Sequence, residues 1–105
     1  MERIDRLEAL LSMLQTEPND IFLNYSLALE YVANNSFVLA EEQFLKTLNI
    51  QGDYIPAFYH LGKLYEQQEK VEAALNYYNR GLMNAKQQKN NKAVNEFAEA
   101  IFMLE

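Results

Sequence analysis

Histidine occurs once, at position 60, and cysteine not at all. The chain therefore offers one side chain that titrates near neutrality, and no thiolate nucleophile, thiolate metal ligand or disulfide. A single imidazole on a helix more often serves as a surface or hydrogen-bonding group than as a catalyst. Carboxylates are better represented, in Glu41-Glu42 and in the run Glu66, Glu69 and Glu72. General acid–base pairs need burial or an apolar wall to pull their pKa values apart, and these acids read as solvent-facing. The sequence has no glycine-rich phosphate loop and no His or carboxylate cluster at metal-ligand spacing. The expectation is a non-enzymatic protein with no cofactor and no metal.

What remains for these side chains to do is set by the elements that hold them. The chain has 105 residues, half of them hydrophobic and 23% charged, with only three glycines and two prolines. That is the composition of a helix-rich globular protein with one cooperative core, stabilised by helix packing alone. Met1 leads directly into the charged stretch Glu2-Arg3-Ile4-Asp5-Arg6, so no signal peptide is expected, and no apolar run approaches the ~20 residues of a membrane span. A cytoplasmic location is the expectation.

The net charge of -6 opposes nucleic acid, which recruits clustered Lys and Arg. Residues 1–53 carry nine acids and three bases, whereas residues 54–105 carry six of each. All of the net charge thus falls in the first half, as an ordinary solvated surface or as a field that steers a partner.

An internal repeat organises the chain, with a period of 34. Shifting the sequence by that interval pairs Ile21 with Ile55, Tyr25 with Tyr59, Leu27 with Leu61, Tyr31 with Tyr65, Ala40 with Ala74 and Leu48 with Leu82. Ala28 with Gly62 and Phe44 with Tyr78 are near matches. Small and apolar residues recurring at helical spacing preserve a packing face. Within each unit the helical period appears twice, broken first by Asn34-Asn35-Ser36 and then by Gln67-Gln68-Glu69-Lys70. Six helices are predicted, at 3–16, 20–34, 37–49, 54–67, 71–88 and 92–105, with no strand. Asn19 or Asp20, Ser36, Asp53 and Asn91 suit N-caps, and Pro56 suits a first helical turn. The first helix should bury Ile4, Leu7, Leu11 and Leu14, and the last Val94, Phe97, Ala98, Ile101 and Leu104.

The segment FYHLGKLYEQQEKVEAALNYYNRGL resembles the tetratricopeptide repeat family, whose pattern is Trp-x2-Leu-Gly-x2-Tyr, then Ala-x3-Phe, then Pro. Phe58, Leu61, Gly62, Tyr65, Ala74 and Tyr78 fill the pattern in one unit; Asn24, Leu27, Ala28, Tyr31, Ala40 and Phe44 fill it less completely in the other. Pro18 stands in the terminal proline place of a preceding repeat. Thr47 and Gly81 replace the usual alanine, and Gly52 and Lys86 the terminal proline. The resemblance covers about residues 5–88 and implies an all-α, right-handed antiparallel helix-pair solenoid. Its parts are an N-terminal helix at 1–19, repeats at 21–54 and 55–88, and a C-terminal segment at 89–105, with 92–105 either a capping helix or the first helix of a truncated third repeat. The resemblance also implies close helix contacts at Ala28, Gly62, Ala40 and Ala74, and a core of Leu27, Tyr31, Phe44, Leu48, Leu61, Tyr65, Tyr78 and Leu82.

The resemblance implies protein–protein interaction as the function, with a peptide or helix of a partner lying in a concave groove. The groove positions carried over are Phe22, Tyr25, Ser26, Leu29 and Ala33 in the first unit, and Tyr59, His60, Lys63 and Gln67 in the second. Tyr25 and Leu29 stand where a carboxylate clamp would need polar or basic groups. The expected occupant is instead apolar, with one acidic residue beside Lys63. The alternative is a structural protein that self-associates, as a weak homo-oligomer, through terminal helices rich in Phe97, Ile101, Phe102, Met103 and Leu104.

Overall fold

The computed structural model describes residues 3–105, with side chains from residue 5 onward. The helices are α1 (Arg3–Thr16), α2 (Ile21–Ala33), α3 (Phe37–Ile50), α4 (Ile55–Gln67), α5 (Val71–Gln87) and α6 (Asn91–Leu104), each ending within one residue of its predicted bounds. No strand occurs among the described residues. None of these helices is long and apolar enough to cross a membrane. The chain forms two compact units, one reaching to Gly52 and the other running Asp53–Glu105.

In the first unit α2 packs against both α1 and α3. Its inner face carries Leu23, Leu27 and Ala28, facing the small and aromatic residues Ala40 and Phe44 that α3 buries. From α1, Leu7, Leu10 and Leu14 join Leu23 and Leu27. Leu11, expected on that face, is 42% exposed instead; Leu10 takes the inward place because the stripe runs 7, 10, 14, a spacing as helical as 7, 11, 14. The side chain of Ile4 lies outside the described residues.

Asn24 stands in the family's tryptophan place and is fully buried. It is satisfied there by donating to the Pro18 and Asp20 carbonyls at 3.0 and 2.8 Å, and by accepting from Gln43 Nε2 at 2.6 Å. Thr47, in the alanine place, donates its hydroxyl to the Gln43 carbonyl at 2.9 Å, so a buried polar group costs little there. Glu30 is less well served. Its Oε2 lies 3.8 Å from Arg6, while its Oε1 is buried without a hydrogen bond.

The second unit is a three-helix array in which α5 packs on α4 and on α6. Gly62 of α4 lets the ring of Tyr78 of α5 come close to the backbone, since a Cβ there would come within 2.3 Å of the ring. Gly81 does the same for Phe97 of α6, where a Cβ would lie 2.4 Å from the ring tip. This explains the departure from alanine at position 81: the ring of Phe97 fills the space.

Three of the connections end a helix in one way. Asn35, Glu69 and Lys89 adopt φ of 60°, 60° and 56°, and the following N–H reaches back across the turn: Ser36 to Tyr31, Lys70 to Tyr65 and Asn90 to Ala85, at 2.8–2.9 Å. This closure satisfies carbonyls that the last helical turn would leave open. The caps that follow differ from expectation at two sites. Asn90, not Asn91, caps α6, accepting from the Ala93 N–H at 3.1 Å, because the left-handed residue is Lys89. Tyr54, not Asp53, precedes α4 and makes no side-chain cap bond. Asp20 caps α2 as expected, at 2.8 Å, whereas Ser36 occupies its cap position without a side-chain bond.

Left-handed backbone costs an L-residue other than Asn or Asp about 1 kcal/mol, which glycine avoids while losing some unfolded-state entropy. Lys89→Gly is therefore expected to raise stability by about 0.5 kcal/mol, or a few degrees in Tm. Asn35→Gly should be nearly neutral. Thermal unfolding by circular dichroism checks both, and a fall in Tm for Lys89→Gly would contradict the strain.

Candidate binding groove

Because α4 and α6 both pack on α5, their outward faces flank a groove within the second unit. Two adjoining recesses, of about 290 and 260 Å³, share Tyr59 and Glu96. The first is closed by Lys63 and Glu66 of α4 and by Glu99, Ala100 and Met103 of α6. The second is closed by Ile55, Pro56 and His60 of α4 and by Asn90, Lys92, Ala93 and Phe97.

The floor is aromatic. Tyr59 meets Phe97 edge-on at a centroid distance of 5.8 Å, Tyr78 at 6.0 Å and His60 at 5.9 Å. With Phe97 and Tyr78 fully buried, the half-buried Tyr59 is held as a fixed platform. Along the wall, Lys63 Nζ lies 5.4 Å from the Tyr59 ring centre and 3.9 Å from Glu66 Oε1. The same oxygen accepts a 2.8 Å hydrogen bond from the Tyr78 hydroxyl. Burial, together with the bonded carboxylate, pushes that hydroxyl far above the usual tyrosine range, so it stays a donor at physiological pH. Opposite stand Glu96 and Glu99, on a stripe with Lys92 and Met103 at helical spacing.

His60 is half-buried, and desolvation lowers its pKa from 6.5. The imidazole is then neutral in the fold at pH 7. As pH falls below 6.5 the unfolded chain takes up the proton first, so stability should decline until the lower folded pKa is reached. His60→Gln should remove that part of the slope. Melting temperatures of both proteins from pH 7.5 to 5.5 test this, and parallel curves would contradict it.

Of the sequence-predicted positions, Tyr59, His60 and Lys63 line the groove. Gln67 lines neither recess and is exposed at the end of α4. On α2 in the first unit, Phe22 is 66% exposed, Tyr25, Ser26 and Leu29 are half-buried and Ala33 is exposed; Tyr25 lies 6.2 Å from Phe44, ring to ring. Sequence reasoning missed the contribution of α6. The acidic residue expected beside Lys63 on a partner has a counterpart within the chain, since Glu66 already pairs with that lysine. The stripe 92, 96, 99, 103 was the available signal.

Helix hairpins closed by a repeated turn, with a further helix extending the array, define an α-helical repeat protein. No protein-family model matches the chain, and no curated protein matches it. Among solved structures it is 31% identical to a tetratricopeptide repeat domain protein from Salinibacter ruber, with a TM-score of 0.79 over 84% of this chain and 89% of that one. The chain belongs to the tetratricopeptide repeat family. Two more distant structures share the fold. The TPR2B domain of yeast Sti1, in a complex with pHsp70, is 14% identical with a TM-score of 0.87, over 97% of this chain and 82% of its own. The first TPR domain of Spaghetti (RPAP3), bound to the HSP90 peptide SRMEEVD, is 21% identical with a TM-score of 0.75, over 92% and 75%.

Proposed function

We propose that the chain is a protein–protein interaction module of the cytoplasm that takes up a peptide or helix segment of a partner. The observation that carries this reading is the pair of adjoining recesses between α4 and α6, floored by Tyr59 and walled by charged side chains. An aromatic floor inside a polar rim is the composition of a recognition surface. The Sti1 domain in its complex with pHsp70 and the Spaghetti domain bound to an HSP90 peptide share this fold and support the reading. The reading extends to the α2 positions Phe22, Tyr25, Ser26 and Leu29, since Tyr25 repeats as Tyr59. Site-specific photocrosslinking tests it. A benzophenone side chain placed at Met103, on the rim, should capture the partner, whereas one at Val38 on α3 should not. Both sites are well exposed, so capture only at position 38 would move binding away from the groove.

A second reading is self-association through α6, favoured by Phe102 and Met103, which are 76% and 74% exposed. A sedimentation mass that stays monomeric at every concentration would remove it.

A further inference from the structure

We infer that the groove between α4 and α6 receives a cationic segment, a stretch of partner chain with Lys or Arg beside an apolar side chain; this rests on the groove reading above and names the occupant. Three carboxylates, Glu66, Glu96 and Glu99, surround the larger recess against one base, Lys63. Composition does not explain the excess, because residues 54–105 carry six acids and six bases. It is placement that gathers the acids here. Lys92 belongs to the other recess, so the cation site is the one bounded by Glu66, Glu96 and Glu99.

Lys63 shows what this recess attracts. Its ammonium sits 3.9 Å from Glu66 and 5.4 Å from the Tyr59 ring centre, a carboxylate and a π face presented to one cation. The side chain is 44% exposed and therefore displaceable. It acts as an internal competitor for the place an incoming Lys or Arg would take, while Ala100 and Met103 offer contact for an apolar neighbour. An acidic peptide such as SRMEEVD, the one bound by the Spaghetti domain, would instead bring like charges to Glu96 and Glu99.

The test pans a display library of random short peptides on the full chain and measures the recovered sequences by fluorescence anisotropy. Recovered peptides should be enriched in Lys and Arg, and should bind about tenfold more weakly to the Glu96→Gln, Glu99→Gln double variant. They should bind about threefold more tightly to Lys63→Met, and lose affinity as salt rises. Glu96 and Glu99 are exposed, so the double variant should keep its helicity by circular dichroism. Neutral or acidic peptides that crosslink through position 103 yet ignore these substitutions would overturn the cationic occupant and leave the groove standing. A library yielding no binder, or binders that neither respond to the substitutions nor crosslink at 103, would count against the groove itself and the inference with it.

Discussion

Gly62→Leu is expected to cost about 3 kcal/mol or more, and to lower the melting temperature by more than about 10 °C. A Cβ at this position would stand 2.3, 2.5 and 2.7 Å from three ring atoms of Tyr78, so even alanine requires movement. The ring has little freedom to give. It is fully buried, its hydroxyl is held by Glu66 at 2.8 Å, and Tyr59 and Phe97 pack against it with centroids 6.0 and 6.4 Å away. A leucine must therefore separate α4 from α5 along the length that buries Leu61 and Ala74. An unchanged melting temperature would mean that the two helices do not approach at Gly62 and that the repeat register is wrong.

Phe97→Ala should be of similar size, about 3–5 kcal/mol, because it empties a fully buried aromatic site. The lost contacts are specific: the ring caps Gly81, where a Cβ would meet Phe97 Cζ at 2.4 Å and Phe58 Cβ at 3.0 Å. Gly81→Ala alone should therefore be destabilising. In the Phe97→Ala background the added methyl enters space that the ring has left, and its cost should shrink by about 1–2 kcal/mol. Denaturant unfolding of the four proteins in the cycle measures this coupling. Strictly additive costs would show that α6 does not seat its ring over Gly81.

Much of this packing was legible from the repeat. The 34-residue period pairs Ala40 with Ala74 and Phe44 with Tyr78, and all four are buried, because a repeat conserves the small and large partners of each helix contact. The helix limits followed from the breaks in the apolar period. What escaped were features that leave no residue-type signal. The left-handed turn residue before α6 is a lysine, so nothing announced that the cap was Asn90. Leu10 and Leu11 are adjacent leucines, and since 7, 10, 14 and 7, 11, 14 are both helical spacings, the pattern does not select the inner one. The site was half legible for a related reason. Tyr59, His60 and Lys63 lie in the clear repeat, but Glu96, Glu99 and Met103 lie beyond the point where the period of 34 lapses. The pairing of Lys63 with Glu66 did have a spacing signal, since the two stand three residues apart on α4.

The bond between the Tyr78 hydroxyl and Glu66 has a consequence for how long the proposed groove would hold a peptide. A glutamate side chain gives up as much as ~1.5–2 kcal/mol of rotamer entropy when it is immobilised, a cost normally met at the moment of association. Here it has already been met in folding, because a donor from the core holds the carboxylate in place at 2.8 Å. A ligand reaching Glu66 in the proposed groove would encounter a preorganised acceptor and need not order it. The benefit should appear as a slower dissociation rate. Tyr78→Phe removes the donor and keeps the ring, so it should shorten the lifetime of a bound peptide several-fold while leaving the rate of encounter nearly unchanged.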